Sequence, residues 1–205
     1  TINNSGLWHV QGDNVFLGAN FGGSSTFTNT GTFRKSVATG TTTLSTTAFH
    51  NSGTVDLQSG TLSFGSTLTG SGNFSGAGGV QWGGLVNLTF SGTLNWIGGS
   101  PGSGSVINLA SGALLNLTNN VQRDLPSTTI NNAGTVVWSA GTLTGGTGTT
   151  INNSGLWHVQ GDNVFLGANL GGSSTFTNTG IFRKSVVTGT TTLSAVSFHN
   201  PSTVD

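Results

Sequence analysis

Thr1–Asp56 is written a second time at Thr150–Asp205, displaced by 149 positions. Of the 56 aligned pairs, eight differ: Phe21/Leu170, Thr32/Ile181, Ala38/Val187, Thr46/Ala195, Thr47/Val196, Ala48/Ser197, Ser52/Pro201 and Gly53/Ser202. A repeat of that length and fidelity marks a duplication inside an array. The second copy ends with the chain, so the sequence reads as roughly one and a third periods of something longer: a first long repeat over 1–149 and the start of a second over 150–205.

A shorter period lies inside the long one. Its mark is an apolar residue, three positions, a glycine, one position and another apolar residue. The glycines are Gly6, Gly31, Gly53, Gly72, Gly92, Gly112, Gly134, Gly155 and Gly180, with Ser202 in the tenth place. They are spaced by 25, 22, 19, 20, 20, 22, 21, 25 and 22 residues, so seven short units make one long repeat. A unit of that size cannot bury a face by itself and is stable only when stacked on its neighbours.

Composition decides what kind of stack this is. The units are filled with Gly, Thr, Ser and Asn, which are poor in helix interiors, and no apolar stripe of helical period is present. Segments such as GLWHV, GTFRKS, GTVDL, GTLNW and GTVVW are β-rich and bounded by turn residues. A third of the residues are apolar, including twelve Phe and five Trp at recurring places, which is enough for a long, thin core. The expected fold is all-β: a parallel β-helix, or β-solenoid, with coils of about 19–25 residues, seven to each 149-residue repeat and continuous from one repeat to the next.

Counting from each glycine predicts the columns. Two positions later come Trp8, Phe33, Val55, Phe74, Leu94, Leu114, Val136, Trp157, Phe182 and Val204, all apolar and expected to form an internal ladder. Four positions before it, Ile2, Phe27, Phe49, Leu68, Leu88, Ile130, Ile151, Phe176 and Phe198 form a second ladder, broken at Asn108 beside Ile107. Two before it stand Asn4, Asn29, Asn51, Asn132, Asn153, Asn178 and Asn200. Asn suits a tight corner, and amides stacked at about 4.8 Å can bond one another along the stack. Three after the glycine, His9, Arg34 and Asp56 are expected to stack outward on consecutive coils, repeated as His158, Arg183 and Asp205.

This pattern resembles the right-handed parallel β-helix repeats of large bacterial surface proteins, the autotransporter and filamentous-haemagglutinin kind of adhesin. The resemblance covers the whole chain and implies an exported cell-surface or extracellular protein. It says more about architecture than about activity, because such coils carry adhesins, polysaccharide lyases and phage fibres alike.

Charge and residue usage bound the function. Five Asp balance five Lys and Arg, Glu is absent, and no basic field exists to hold nucleic acid. Cysteine is absent, which removes disulfides and thiolate metal sites. No apolar run is long enough for a membrane span, and with no Met even at position 1 the native start is expected to lie upstream. Asp13 and Asp56 lie two coils apart, about 10 Å, too far to share an ion, so neither a metal nor a cofactor nor a catalytic site is expected. The outward His–Arg–Asp stack reads first as a cross-strand charge ladder and second as a sugar contact or pH-sensitive patch. Lys35 falls on an inward parity and is expected to swing out at the strand end. Arg123-Asp124, near Pro126, is expected to mark a protruding loop. His50 and His199 are expected to be exposed turn residues. Thr41-Thr42-Thr43 occurs in one coil of seven, too sparse for an ice-binding face.

Two functional classes follow. The first is a structural, self-associating segment that stacks end to end, bundles, or continues into further repeats of its own chain. The second is an adhesin module that binds glycans or neighbouring cells through exposed polar or aromatic rows. A polysaccharide-acting enzyme ranks below both.

Overall fold

A computed structural model describes residues 1–16, 23–186 and 188–205; of the aligned differences, Phe21 and Val187 lie outside that set. Every element among the described residues is a β-strand, and every strand pairing is parallel. The chain forms a three-faced β-solenoid of about nine turns. The first face carries Ile2–Asn4, Ser25–Asn29, Thr47–Asn51 and their successors up to Val196–His199. A corner then leads to the second face, from Leu7–Val10 through Thr32–Lys35 to Thr203–Val204. The third face holds Val15–Phe16, Thr41–Leu44, Thr61–Phe64 and Gly79–Trp82, and, further along, Gln122–Asp124, Thr142–Thr144, Val164–Leu166 and Thr192–Ser194.

The glycine that marks the period is needed for close approach. At Gly31, Gly53, Gly155 and Gly180 a Cβ would press into the backbone carbonyl of the glycine one coil earlier. At these four coils the close approach is open to a residue without a side chain. The φ angles of these four are ordinary, so contact distance and not backbone freedom selects glycine.

Side chains alternate along each strand, and like stacks on like inside. On the first face Ile2, Phe27, Phe49 and Leu68 are in register, and Phe27 and Phe49 stack with ring centroids 5.3 Å apart. Phe33, from the second face, meets both edge-on at 5.5 and 5.4 Å, which locks the two ladders across the interior. Phe27, Phe33, Phe49, Val55, Leu94, Val136 and Trp157 are fully buried.

Three parts of the expected ladder need correction. Leu115, not Leu114, is the internal residue paired with Leu94 and Val136, and Leu114 is only half-buried. Gly112 has φ +79° and turns the chain one residue early, so Ala113 occupies the corner below Gly134. Val204 pairs with Phe182 in register but is 58 % exposed, because the last coil has no neighbour on its far side. Trp8, on the first coil, is half-buried for the same reason.

The register also shifts, by one residue where Gly79–Trp82 meets Val86–Gly99 and by two in the ladders of the first and second faces. Leu68 stands against Val86 and Phe74 against Gly92, while the next coil pairs Ile107 with Leu88 and Leu115 with Leu94. Both columns advance by two residues within Val86–Gly99. A two-residue step preserves strand parity, so Val86, Leu88, Phe90 and Leu94 all stay inside. Ile107 fills the column that Asn108 was expected to break.

Candidate functional site

The inner asparagine ladder exists in two blocks. Asn4 Nδ2 donates to Asn29 Oδ1 at 2.7 Å and Asn29 Nδ2 to Asn51 Oδ1 at 2.7 Å. Asn132, Asn153, Asn178 and Asn200 continue the chain further up, each bond 2.6 Å. The second N–H goes to a carbonyl of the next coil, as from Asn29 to Thr54 O and from Asn132 to Leu156 O at 3.0 Å. Buried amides with both donors satisfied hold the corner without a desolvation penalty. The gap between blocks begins at Gly70, which sits against Asn51 with φ +116°, and ends at Leu109 beneath Asn132. Asn200 is in line but exposed, as the last coil requires.

The outward charge stack also forms. His9, Arg34 and Asp56 occupy consecutive coils in register, and Arg34 Nε meets Asp56 Oδ2 at 2.8 Å. Gln58 Nε2 adds a bond to the same carboxylate oxygen at 2.9 Å. His9 turns away to Ser36 Oγ at 2.6 Å. The copy repeats the arrangement: Arg183 reaches Asp205 at 2.7 Å and His158 reaches Ser185 at 2.6 Å. The Arg34 pair is partly open to solvent, so its contribution is that of a surface ion pair, about 0–1 kcal/mol.

Two cations lie elsewhere than expected. Lys35 does not swing out: its side chain is buried and its Nζ meets Asp13 Oδ1 at 2.8 Å. Parity sends it inward, and the loop carrying Asp13 supplies the counter-charge. Arg123 is likewise in the interior, on the strand Gln122–Asp124, with no protruding loop there. Its guanidinium lies over the Trp96 ring at 5.5 Å and donates to Trp96 O at 2.8 Å, Asn119 O at 3.2 Å and Val121 O at 3.3 Å. Its column continues upward as Leu143, Phe165 and Leu193. The strand Gln122–Asp124 pairs only upward, so Arg123 plugs a fault in the third face by capping a carbonyl that no strand above it meets. Burial lowers the Arg123 pKa to about 10.

His50 is exposed and bonded to Thr69, and His199 is exposed. Each carboxylate is engaged: Asp13 with Lys35, Asp56 with Arg34, Asp162 with Lys184, Asp205 with Arg183, and Asp124 with Gln122 and Thr144. Among the described residues no three His, Asp or Glu side chains gather where they could hold a metal ion. No helix among them is long and apolar enough to cross a membrane.

The residues that the sequence reading passed over form a second asparagine column, on the outside of the first face. Asn152 Nδ2 donates to Asn131 Oδ1 at 2.8 Å, Asn131 Nδ2 to Asn108 Oδ1 at 2.8 Å, and Asn108 Nδ2 to Thr89 Oγ1 at 3.2 Å. Its signal was the doublets Asn131-Asn132 and Asn152-Asn153, in which parity must send one amide in and its neighbour out. The column flanks a surface groove of about 480 Å³ along the corner between the first and second faces. A second groove of about 460 Å³, with Ser52, Thr54, Ser71, Asn73, Thr89 and Ser91 in its lining, occupies earlier coils of the same corner. Among the described residues no Phe or Trp is an exposed large apolar residue; those are Leu, Val and Ile.

No family model, no curated protein and no solved structure matches this chain.

Proposed function

We propose that the chain is a structural, non-enzymatic rod segment of a large repetitive protein exported to a bacterial surface or extracellular matrix. The observation that carries this reading is the continuity of the stack across the duplication. The strand Thr150–Asn153 opens the second copy and pairs with Thr129–Asn132 of the first, residue for residue, with Ile151 on Ile130 and Asn153 on Asn132. A 149-residue copy thus adds seven coils to the same column, about 34 Å of rod at one strand spacing per coil. The engagement of every carboxylate in an ion pair or polar contact supports a scaffold over a hydrolase, which needs two carboxylates free to face a substrate. Chains of near-zero net charge also repel one another little, which favours lateral association.

The test is to join further copies of residues 1–149 ahead of 150–205 and to measure particle length by electron microscopy and small-angle scattering. Each added copy lengthens the rod by about 34 Å at constant diameter. Particles that grow as separate beads, or isolated monomers that never associate at high concentration, contradict the continuous-rod and the self-association parts of the reading respectively.

Adhesion through exposed aromatic rows finds no support, since the Phe and Trp ladders face inward. Adhesion through polar rows has a specific location, taken up next.

A further inference from the structure

We infer that the outer asparagine groove is a binding site for a neutral polysaccharide lying along the solenoid axis. None of the ten residues that line it carries a charge. The polar surface comes from Asn108, Asn131, Asn152, Ser154, Thr177 and Thr179. Each primary amide has two N–H donors and two acceptor lone pairs. Asn131 gives one donor to Asn108 and receives one from Asn152, which leaves it, among the described residues, one N–H and one lone pair without a protein partner. That combination of donor and acceptor, available on three consecutive coils at Asn108, Asn131 and Asn152, matches a sugar hydroxyl, which is itself both. It does not match an anion, which offers only acceptors.

The spacing points to a polymer. Donor–acceptor pairs recur at one strand separation, about 4.8 Å, so an extended chain of pyranose rings presents hydroxyls at a comparable interval along the groove. The amides are also pre-set: each is fixed by its neighbours, so little side-chain entropy is lost on binding. The groove runs along the corner on Ala133, Ser154 and Thr179, small side chains that each precede a corner glycine. Asn152 is the copy of Asn3, whereas Asn108 and Asn131 belong to the last coils of the first long repeat. The site is therefore completed where one long repeat meets the next, and an array recreates it at every junction. The inference does not depend on the rod being a structural fibre.

The experiment is depletion of the 205-residue chain from solution by insoluble neutral polysaccharides (cellulose, chitin, curdlan and mannan), with calcium alginate as the anionic comparison. At least one neutral polymer binds the chain, with no change between low and high salt. Ala133→Trp fills the groove while leaving every amide of the column in the sequence, and abolishes binding. The double variant Asn131→Ala, Asn152→Ala weakens it by about ten-fold or more. Asn95→Ala with Asn116→Ala removes a similar amide pair elsewhere on the surface and leaves binding unchanged. Circular dichroism verifies folding of each variant, and Ala133→Trp keeps the test decisive if the double variant unfolds. Failure of every neutral polymer to bind, binding by Ala133→Trp equal to the parent, or binding confined to alginate and lost in salt each overturns the proposal.

Discussion

Trp8 and Trp157 are the same residue of the duplicated stretch, yet Trp8 is half-buried and Trp157 is fully buried. The contrast reverses at the other end of the copies: Val55 is fully buried and Val204 is 58 % exposed. Lys35 has no exposed side-chain surface, while Lys184 retains 26 %. Local sequence is almost constant between the two stretches, so these differences come from what lies above and below. Trp157 stands on Val136 and meets the ring of Trp138 on the same lower coil, centroids 6.5 Å apart, while Trp8 has no coil beneath. A coil in this molecule has no environment of its own; it borrows one from each neighbour.

That comparison is open to direct attack. The largest effect belongs to Phe49→Ala, which empties a site packed by Phe27, Phe33 and Phe64 and costs about 3–5 kcal/mol in denaturant unfolding. Phe198→Ala removes the equivalent ring from the last coil and costs markedly less. Equal losses would mean that neighbours do not set burial energy.

Gly53→Ser comes second, at about 1–3 kcal/mol or more, because the new Cβ has to displace the Gly31 carbonyl within a closed stack. Nature has already made this exchange at Ser202 on the last coil. There the bond from Thr203 N to Gly180 O is 3.4 Å, against 2.8 Å from Thr54 N to Gly31 O. Ser202→Gly therefore slows amide exchange at Thr203, and no change there would show that the long bond has another origin.

Asn29→Ala takes one of two acceptors from Asn4 Nδ2 and the amide donor from Asn51 Oδ1 and Thr54 O, and costs about 1–3 kcal/mol. The same change at exposed Asn200 costs less, and the difference between the two melts measures what enclosure adds to an amide bond. The smallest effect is a gain. Val37 and Val186 hold φ +75° and +83°, a region that β-branched residues avoid. Both are exposed in loops, so Val37→Gly raises stability by up to about 1 kcal/mol, and Val186→Gly does the same if the strain is local.

Much of this was legible in the chain because coil and glycine share one count. The Phe27, Phe33 and Phe49 columns, the seven corner asparagines and the His9–Arg34–Asp56 stack all follow from fixed offsets. Reading failed where an offset changed without a visible mark. Ala113 stands in for a corner glycine that the sequence places at Gly112, and that single residue put Leu114 where Leu115 belongs. Lys35 was misread for a different reason: the preference of lysine for water was allowed to outweigh parity. Its partner Asp13 lies 22 residues away in a loop on the third side, where no period could be followed. The outer asparagine column went unread because alternation assigns faces only after the strand has been placed, and Asn is at home on either face.

The two-residue step within Val86–Gly99 has a consequence for how such a chain can grow and change. Because the interior recognises only odd from even, dipeptides can be added or lost at that coil while every later side chain keeps its facing. A single extra residue has to be absorbed as a bulge, as happens at Ile97, where the register against Gly79–Trp82 shifts by one. The coil works as a phase joint, at which an even count passes without disturbing the ladder and an odd count leaves a bulge behind.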